Sequence, residues 1–167
     1  MLQMKRYDIG AGLIGGLLTV LLFGISYAME PRWMLHPLVY WGSTLFYLAA
    51  MLGACLLVNR ENEGLLGIRE GLRTGFVTFL IANCLFWGIQ YLKINRLDHE
   101  QPQVQVAMMR EYAEQQLMGQ ELRAQLDHLE NQDFVLRWGD LFFGYARGAI
   151  GGFVLAGVLA LAVKQDA

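Results

Sequence analysis

Residues 9–29 read IGAGLIGGLLTVLLFGISYAM, a run of 21 positions with no Asp, Glu, Lys or Arg. Each helical residue advances about 1.5 Å and the hydrocarbon core of a bilayer is about 30 Å thick, so about 20 apolar residues cross it once. This run is long enough to do so. Residues 33–59, 74–92 and 148–163 lack the same four residue types. The last stretch is short and reaches span length only by taking in residues 141–147, Arg147 among them. The expected spans are therefore 9–29, 38–58, 71–92 and 141–163, all helical because hydrocarbon offers the backbone no hydrogen-bond partner.

Composition agrees with this reading. The chain is 55% hydrophobic and 17% charged, against about 45 to 50% and about 25% in soluble domains. A net charge of -2 and the lack of any Lys/Arg-rich run leave nothing to neutralise a phosphate backbone, so nucleic acid is excluded as a partner. Cys55 and Cys84 both fall inside apolar runs and are expected to behave as small hydrophobes. Lys5 and Arg6, the apolar residues after them and Ser26-Tyr27-Ala28 imitate a secretory leader. We expect this segment to stay in the protein as its first anchor.

The connections differ in kind. Pro31 and Pro37 stop the first helix and start the second, making a tight link between antiparallel neighbours. After residue 59 a polar stretch leads to Leu65, Leu66, Ile68 and Leu72 interleaved with Arg69, Glu70 and Arg73. That spacing suits either a short amphipathic helix in the headgroup region or an early start to the third span. Residues 93–140 hold five Lys/Arg and nine Asp/Glu and form the water-exposed part. Helical spacing of Leu122, Leu126 and Leu129, and of Met108 with Tyr112, predicts helix there. Gly119 either breaks this segment into a hairpin or sits within one long helix. The fold class expected is all-α: one membrane domain, 1–167, built as a bundle of four transmembrane helices with an extramembrane amphipathic helical hairpin between the third and fourth.

Basic residues beside the spans set an orientation. Lys5, Arg6, Arg60, Arg69, Arg73 and Lys164 share one side and Arg32 stands on the other, which predicts cytoplasmic N- and C-termini. The hairpin then lies outside the cytoplasm. Trp33, Trp41, Trp87 and Trp138 all fall at that outer end, as aromatic residues of a membrane interface do.

Small residues are the most informative feature of the spans. Gly144, Gly148, Gly152, Ala156 and Ala160 recur every fourth residue in the last span, with shorter versions at Gly12 and Gly16 and at Gly71 and Gly75. In lipid, helices associate through close backbone approach, so these stripes mark helix-packing faces, within the bundle or toward a second chain. The last span accordingly looks the weakest in hydrophobicity and like the helix on which the others pack. Asn83 is expected to act as inter-helix glue. Arg147 reads either as a side chain snorkelling to the headgroups, with Asp140 nearby, or as an ion pair within the bundle. Asp8 reads as a helix-start residue that complements the helix dipole.

Catalytic candidates are absent from the pattern. His36, His99 and His128 are dispersed without zinc-site spacing, and no phosphate loop or nucleophile elbow occurs. Asp98-His99-Glu100 reads as a solvated loop or a weak metal site. No cofactor, metal site or enzymatic activity is expected.

The glycine-rich first span (Gly10, Gly12, Gly15, Gly16) is followed by the loop Gly67-Ile68-Arg69-Glu70-Gly71-Leu72-Arg73-Thr74-Gly75. With the charged, glutamine-rich hairpin and the small-residue last span, it resembles the bacterial membrane proteins of domain-of-unknown-function family 4199. The resemblance implies a four-span bacterial inner-membrane protein and assigns no functional residue.

The function expected is that of a non-enzymatic accessory or scaffold subunit of an envelope membrane complex, or a homo-oligomer, with membrane lipids and a membrane protein as partners. Met108, Met109, Tyr112, Leu117 and Met118 supply the docking surface in this reading, because two arms of one hairpin cannot cover them all. The alternatives are a small oligomeric transporter or channel and an accessory subunit of an enzyme acting on lipid-linked sugars or envelope lipids.

Overall fold

The computed structural model of the protein describes residues 6–30, 32–33, 36–93, 95, 101–131 and 137–163. They form six helices, with no strand among the described residues: α1 (Arg6–Met29), α2 (Pro37–Glu61), α3 (Ile68–Leu92), α4 (Gln101–Gln116), α5 (Gly119–Asn131) and α6 (Trp138–Val163). Four of them, α1, α2, α3 and α6, run for 24 to 26 residues and are long and apolar enough to cross a membrane. The chain is a multi-pass membrane protein.

Most span boundaries lie up to a turn beyond the expected ones. A charge-free run measures only the part that must sit in hydrocarbon, whereas the backbone goes on gaining hydrogen bonds through the headgroups. At the start of α2, Pro37 occupies a position where a backbone N–H has no helical partner anyway. His36 Nδ1 accepts a hydrogen bond from Leu38 N at 3.2 Å and caps the helix. The α2–α3 turn uses positive φ at Glu63 (55°) and Gly64 (92°). Asn62 Nδ2 donates to Glu70 Oε2 at 2.7 Å and ties that turn to the first turn of α3. Since α3 already begins at Ile68, the second connection is a loop with an early helix start, and no separate amphipathic helix precedes the third span.

The helix on which the others pack is α3. It touches α1, α2 and α6, while α6 rests chiefly on α3 and only slightly on α2. This corrects the expectation that the last span is the hub. It also corrects the ranking of hydrophobicity, because α3 is the least apolar of the four spans. A central helix meets protein on several sides, so it can carry buried Thr74, Thr78 and Asn83 that a lipid-facing helix could not.

Outside the bundle, α4 and α5 fold back on each other. The break falls at Leu117 and Met118, and Gly119 takes a φ of +65°, a left-handed conformation that costs a glycine nothing. The hairpin reading of Gly119 therefore holds, and the single long helix does not form.

Candidate functional site

The small-residue stripe of α6 lies along α3 over its whole length. A Cβ added at Gly144 would run into the Trp87 ring, one at Gly148 would stand 2.7 Å from Asn83 Nδ2, and one at Gly152 would overlap the Phe79 ring. Further along, Ala156 Cβ and Ala160 Cβ lie against Gly75 and Gly71, 3.4 and 3.3 Å from where their Cβ atoms would be. Both helices advance four residues per contact in opposite directions, as antiparallel neighbours must. Along the seam the small partner switches sides: α6 is small where α3 carries Trp87, Asn83 and Phe79, and α3 is glycine where α6 carries alanine. Asn83 Nδ2 also donates to Tyr145 O at 3.1 Å, so the inter-helix role expected of Asn83 is observed.

The α1 stripe is used in the same way. A Cβ on Gly12 would come within 2.8 Å of Thr78 O and Ile81 Cβ, and one on Gly16 within 2.9 Å of Ala82 O. Gly15 faces the other neighbour, with Ala50 Cβ of α2 2.6 Å from a Cβ there. The Tyr47 hydroxyl adds a hydrogen bond to Thr19 across the α1–α2 contact. Every packing glycine singled out from the sequence is thus consumed within one chain.

The charged and aromatic candidates divide. Arg147 is exposed on the outside of the bundle, which fits snorkelling and not an ion pair inside. Asp140 instead accepts a hydrogen bond from Arg137 N at 3.1 Å at the start of α6. Trp33 stacks on His36 with ring centroids 5.4 Å apart, Trp138 lies 4.9 Å from Tyr91, and Trp41 is exposed. Trp87 is half-buried against Gly144 and so serves the helix seam more than the membrane interface. Lys93 Nζ sits 3.5 Å over the Tyr27 ring at the same end. Asp98, His99 and Glu100 lie outside the described residues.

On the hairpin, Ala113 of α4 and Leu129 of α5 are buried. Of the five docking candidates, Met109, Tyr112 and Met118 are exposed, at 45%, 67% and 87%. Met108 and Leu117 are half-buried. Arg32 of the first connection reaches Glu111 of α4 at 3.2 Å, so the hairpin stands over the α1–α2 loop.

A match to a family description fits this layout of four spans and an inserted hairpin: the sequence model for "Protein of unknown function (DUF4199)" covers residues 11–165. The chain belongs to the DUF4199 family. No curated protein and no solved structure matches this DUF4199 member. Family membership brings no residue role with it, so the site has to be read from the structure.

One feature of this DUF4199 chain went unread in the sequence. Asp8, taken there as a helix-start residue, is fully buried, as are Thr74, Thr78 and Cys55 around it. The signal was present: Asp8 precedes Gly12 by one turn and so continues the α1 stripe that packs on α3.

Proposed function

We propose that this protein is a non-enzymatic membrane subunit that holds a partner through its hairpin. Exposed Tyr112 and Met118 on a hairpin outside the spans carry the reading. Apolar side chains on a span face acyl chains at no cost, whereas the same side chains in water mark a surface made to be covered. The glycine stripes are occupied within the bundle, so docking falls to the hairpin. The partner is a second copy or another envelope membrane protein. The membrane is the bacterial inner membrane, with both termini in the cytoplasm, on the argument from Arg60, Arg69 and Arg73 beside the spans.

The test is the mass of the protein extracted in mild detergent or native nanodiscs. We expect a species heavier than one chain, reduced to the single chain by Tyr112→Ser with Met118→Ser. A strictly monomeric wild type with nothing co-purifying overturns the proposal. For orientation, a C-terminal reporter active only outside the cytoplasm would refute the topology.

A further inference from the structure

Near the C-terminal end of α2 a cavity of about 480 Å³ opens, lined by Gly53, Leu56, Leu57, Asn59 and Arg60. Gly53, Leu56, Leu57 and Arg60 stand at i, i+3, i+4 and i+7, which is one face of a helix. That face is turned away from the bundle: Leu56 is 50% and Leu57 43% exposed, whereas Met51, Ala54, Cys55 and Val58 of the same helix are buried. Glycine makes the hollow, since a Cβ on Gly53 would meet nothing within 4 Å. Arg60 follows Gly53 by seven positions, so the cavity reaches about 10 Å from the polar end of α2 into the span. Its volume falls in the range of about 300 to 1,000 Å³ found for small-molecule sites.

The polar end of this cavity carries two groups that the fold leaves unused. Arg60 lies in the last turn of α2, where a basic side chain commonly serves the terminal carbonyls. Here the following turn takes those carbonyls: Asn62 N, Glu63 N and Gly64 N donate to Val58 O, Arg60 O and Asn59 O at 3.0, 3.3 and 2.8 Å. The Arg60 side chain is exposed and forms no ion pair among the described residues. Asn59 Oδ1 is buried and accepts no hydrogen bond among them, although buried polar atoms in native proteins are nearly always satisfied. The neighbouring acids, Glu61 and Glu63, are exposed and take no part in the lining.

We propose that this cavity binds an anionic phospholipid, with its phosphate on the Arg60 guanidinium and the upper part of one acyl chain over Gly53, Leu56 and Leu57. The order of the lining decides the occupant. Apolar residues on the membrane side and a guanidinium at the edge repeat the order of a phospholipid, tail and then phosphate. A free phosphate would leave the apolar part of the cavity empty. Guanidinium holds phosphate through two parallel N–H donors, and a hydroxylated headgroup such as glycerol supplies the donor that Asn59 Oδ1 lacks. This inference does not depend on the docking role of the hairpin, and its test reads bound lipid.

The experiment exchanges the full chain in mild detergent with equimolar phosphatidylglycerol and phosphatidylcholine and counts bound lipid by native mass spectrometry. We expect one phosphatidylglycerol held per chain with about fivefold preference, the attraction of one basic residue for anionic lipid. Arg60→Gln should remove that preference. Arg69→Gln, exposed at the same end but outside the lining, should keep it. Equal loss in the two variants would mean a diffuse field of basic residues and overturns the proposal. Gly53→Leu places a side chain in the open space of the cavity and should lower retention of both lipids; unchanged retention overturns the proposal. Inorganic phosphate, exchanged for chloride at equal ionic strength, should not displace the lipid, and displacement would make this a site for the free anion. Equal retention of both lipids by the wild type also overturns the proposal. So does a lipid-free dimer that Gly53→Leu converts to single chains, which would put a second copy in the cavity.

Discussion

The α3–α6 seam and the α4–α5 hairpin are both pairs of antiparallel helices, yet they are built on opposite rules. In the seam, one partner at each contact shrinks to glycine so that the helices can close, and large apolar residues on the other face of α6 point away, with Ile150 71% exposed. Among the described residues of the hairpin only Ala113 and Leu129 are buried, and Met118 is 87% exposed. The same exposure has different meanings because the solvents differ. Lipid accepts Ile150 without penalty, so helix association there depends on close fit and not on hiding apolar area. Water does not accept Met118 so freely, and an apolar surface left on the hairpin is a surface awaiting a cover.

The sharpest way to break this comparison is at Gly152. A Cβ there overlaps the Phe79 ring, which is itself buried, whereas one at the adjacent Gly151 meets nothing within 4 Å. Gly152→Leu should therefore destabilise the folded bundle by about 3 kcal/mol, at the upper end of overpacking costs. Gly151→Leu on the lipid side should change it by no more than about 0.5 kcal/mol. Thermal midpoints in detergent read both. Equal losses in the two variants would mean that α6 does not present its stripe to α3.

A smaller effect is expected one turn along. Asn83→Leu keeps much of the volume that fills the space beside Gly148 but removes the bond from Nδ2 to Tyr145 O. Inter-helix hydrogen bonds of this kind contribute about 0.6 kcal/mol on average and about 1.7 at most, so a loss of about 1 kcal/mol is expected. A loss as large as that of Gly152→Leu would show that Asn83 is the anchor of the seam and the glycines are secondary.

These residues also show what could be read without coordinates. The spans were legible because charge-free runs report directly on the solvent they must enter. The seam was half legible: spacing by four residues from Gly144 to Ala160 exposed one side of it, while the complementary ladder from Trp87 to Gly71 mixes aromatic, amide and glycine and has no compositional signature. For that reason α6 looked like the hub, and the more polar α3 did not. Gly119 was ambiguous because one glycine is tolerated in a helix for about 1 kcal/mol, and only the backbone conformation resolves it. Asp8 does stand in the first turn of α1 as expected, but its burial was not legible, because it depends on the register between α1 and α3, which no single segment encodes.

The weakest expected effect concerns how the two regions are joined. Arg32 and Glu111 form an ion pair at 3.2 Å with side chains 61% and 48% exposed, so water and salt screen it, and pairs of this kind contribute about 0.2 to 1 kcal/mol. Arg32→Gln should leave the thermal midpoint of the bundle almost unchanged, because the helix seams that hold it do not involve this residue. Its effect should appear in the hairpin, as faster amide hydrogen exchange in α4 at low salt, with wild type approaching the variant as salt is raised. Glu111→Gln should behave identically, and the double variant should add nothing further, since each change removes the same bond. If Arg32→Gln instead lowered the midpoint as much as Asn83→Leu, the hairpin and the bundle would be one cooperative unit, and the contrast between a lipid-built seam and a water-built hairpin would have to be given up.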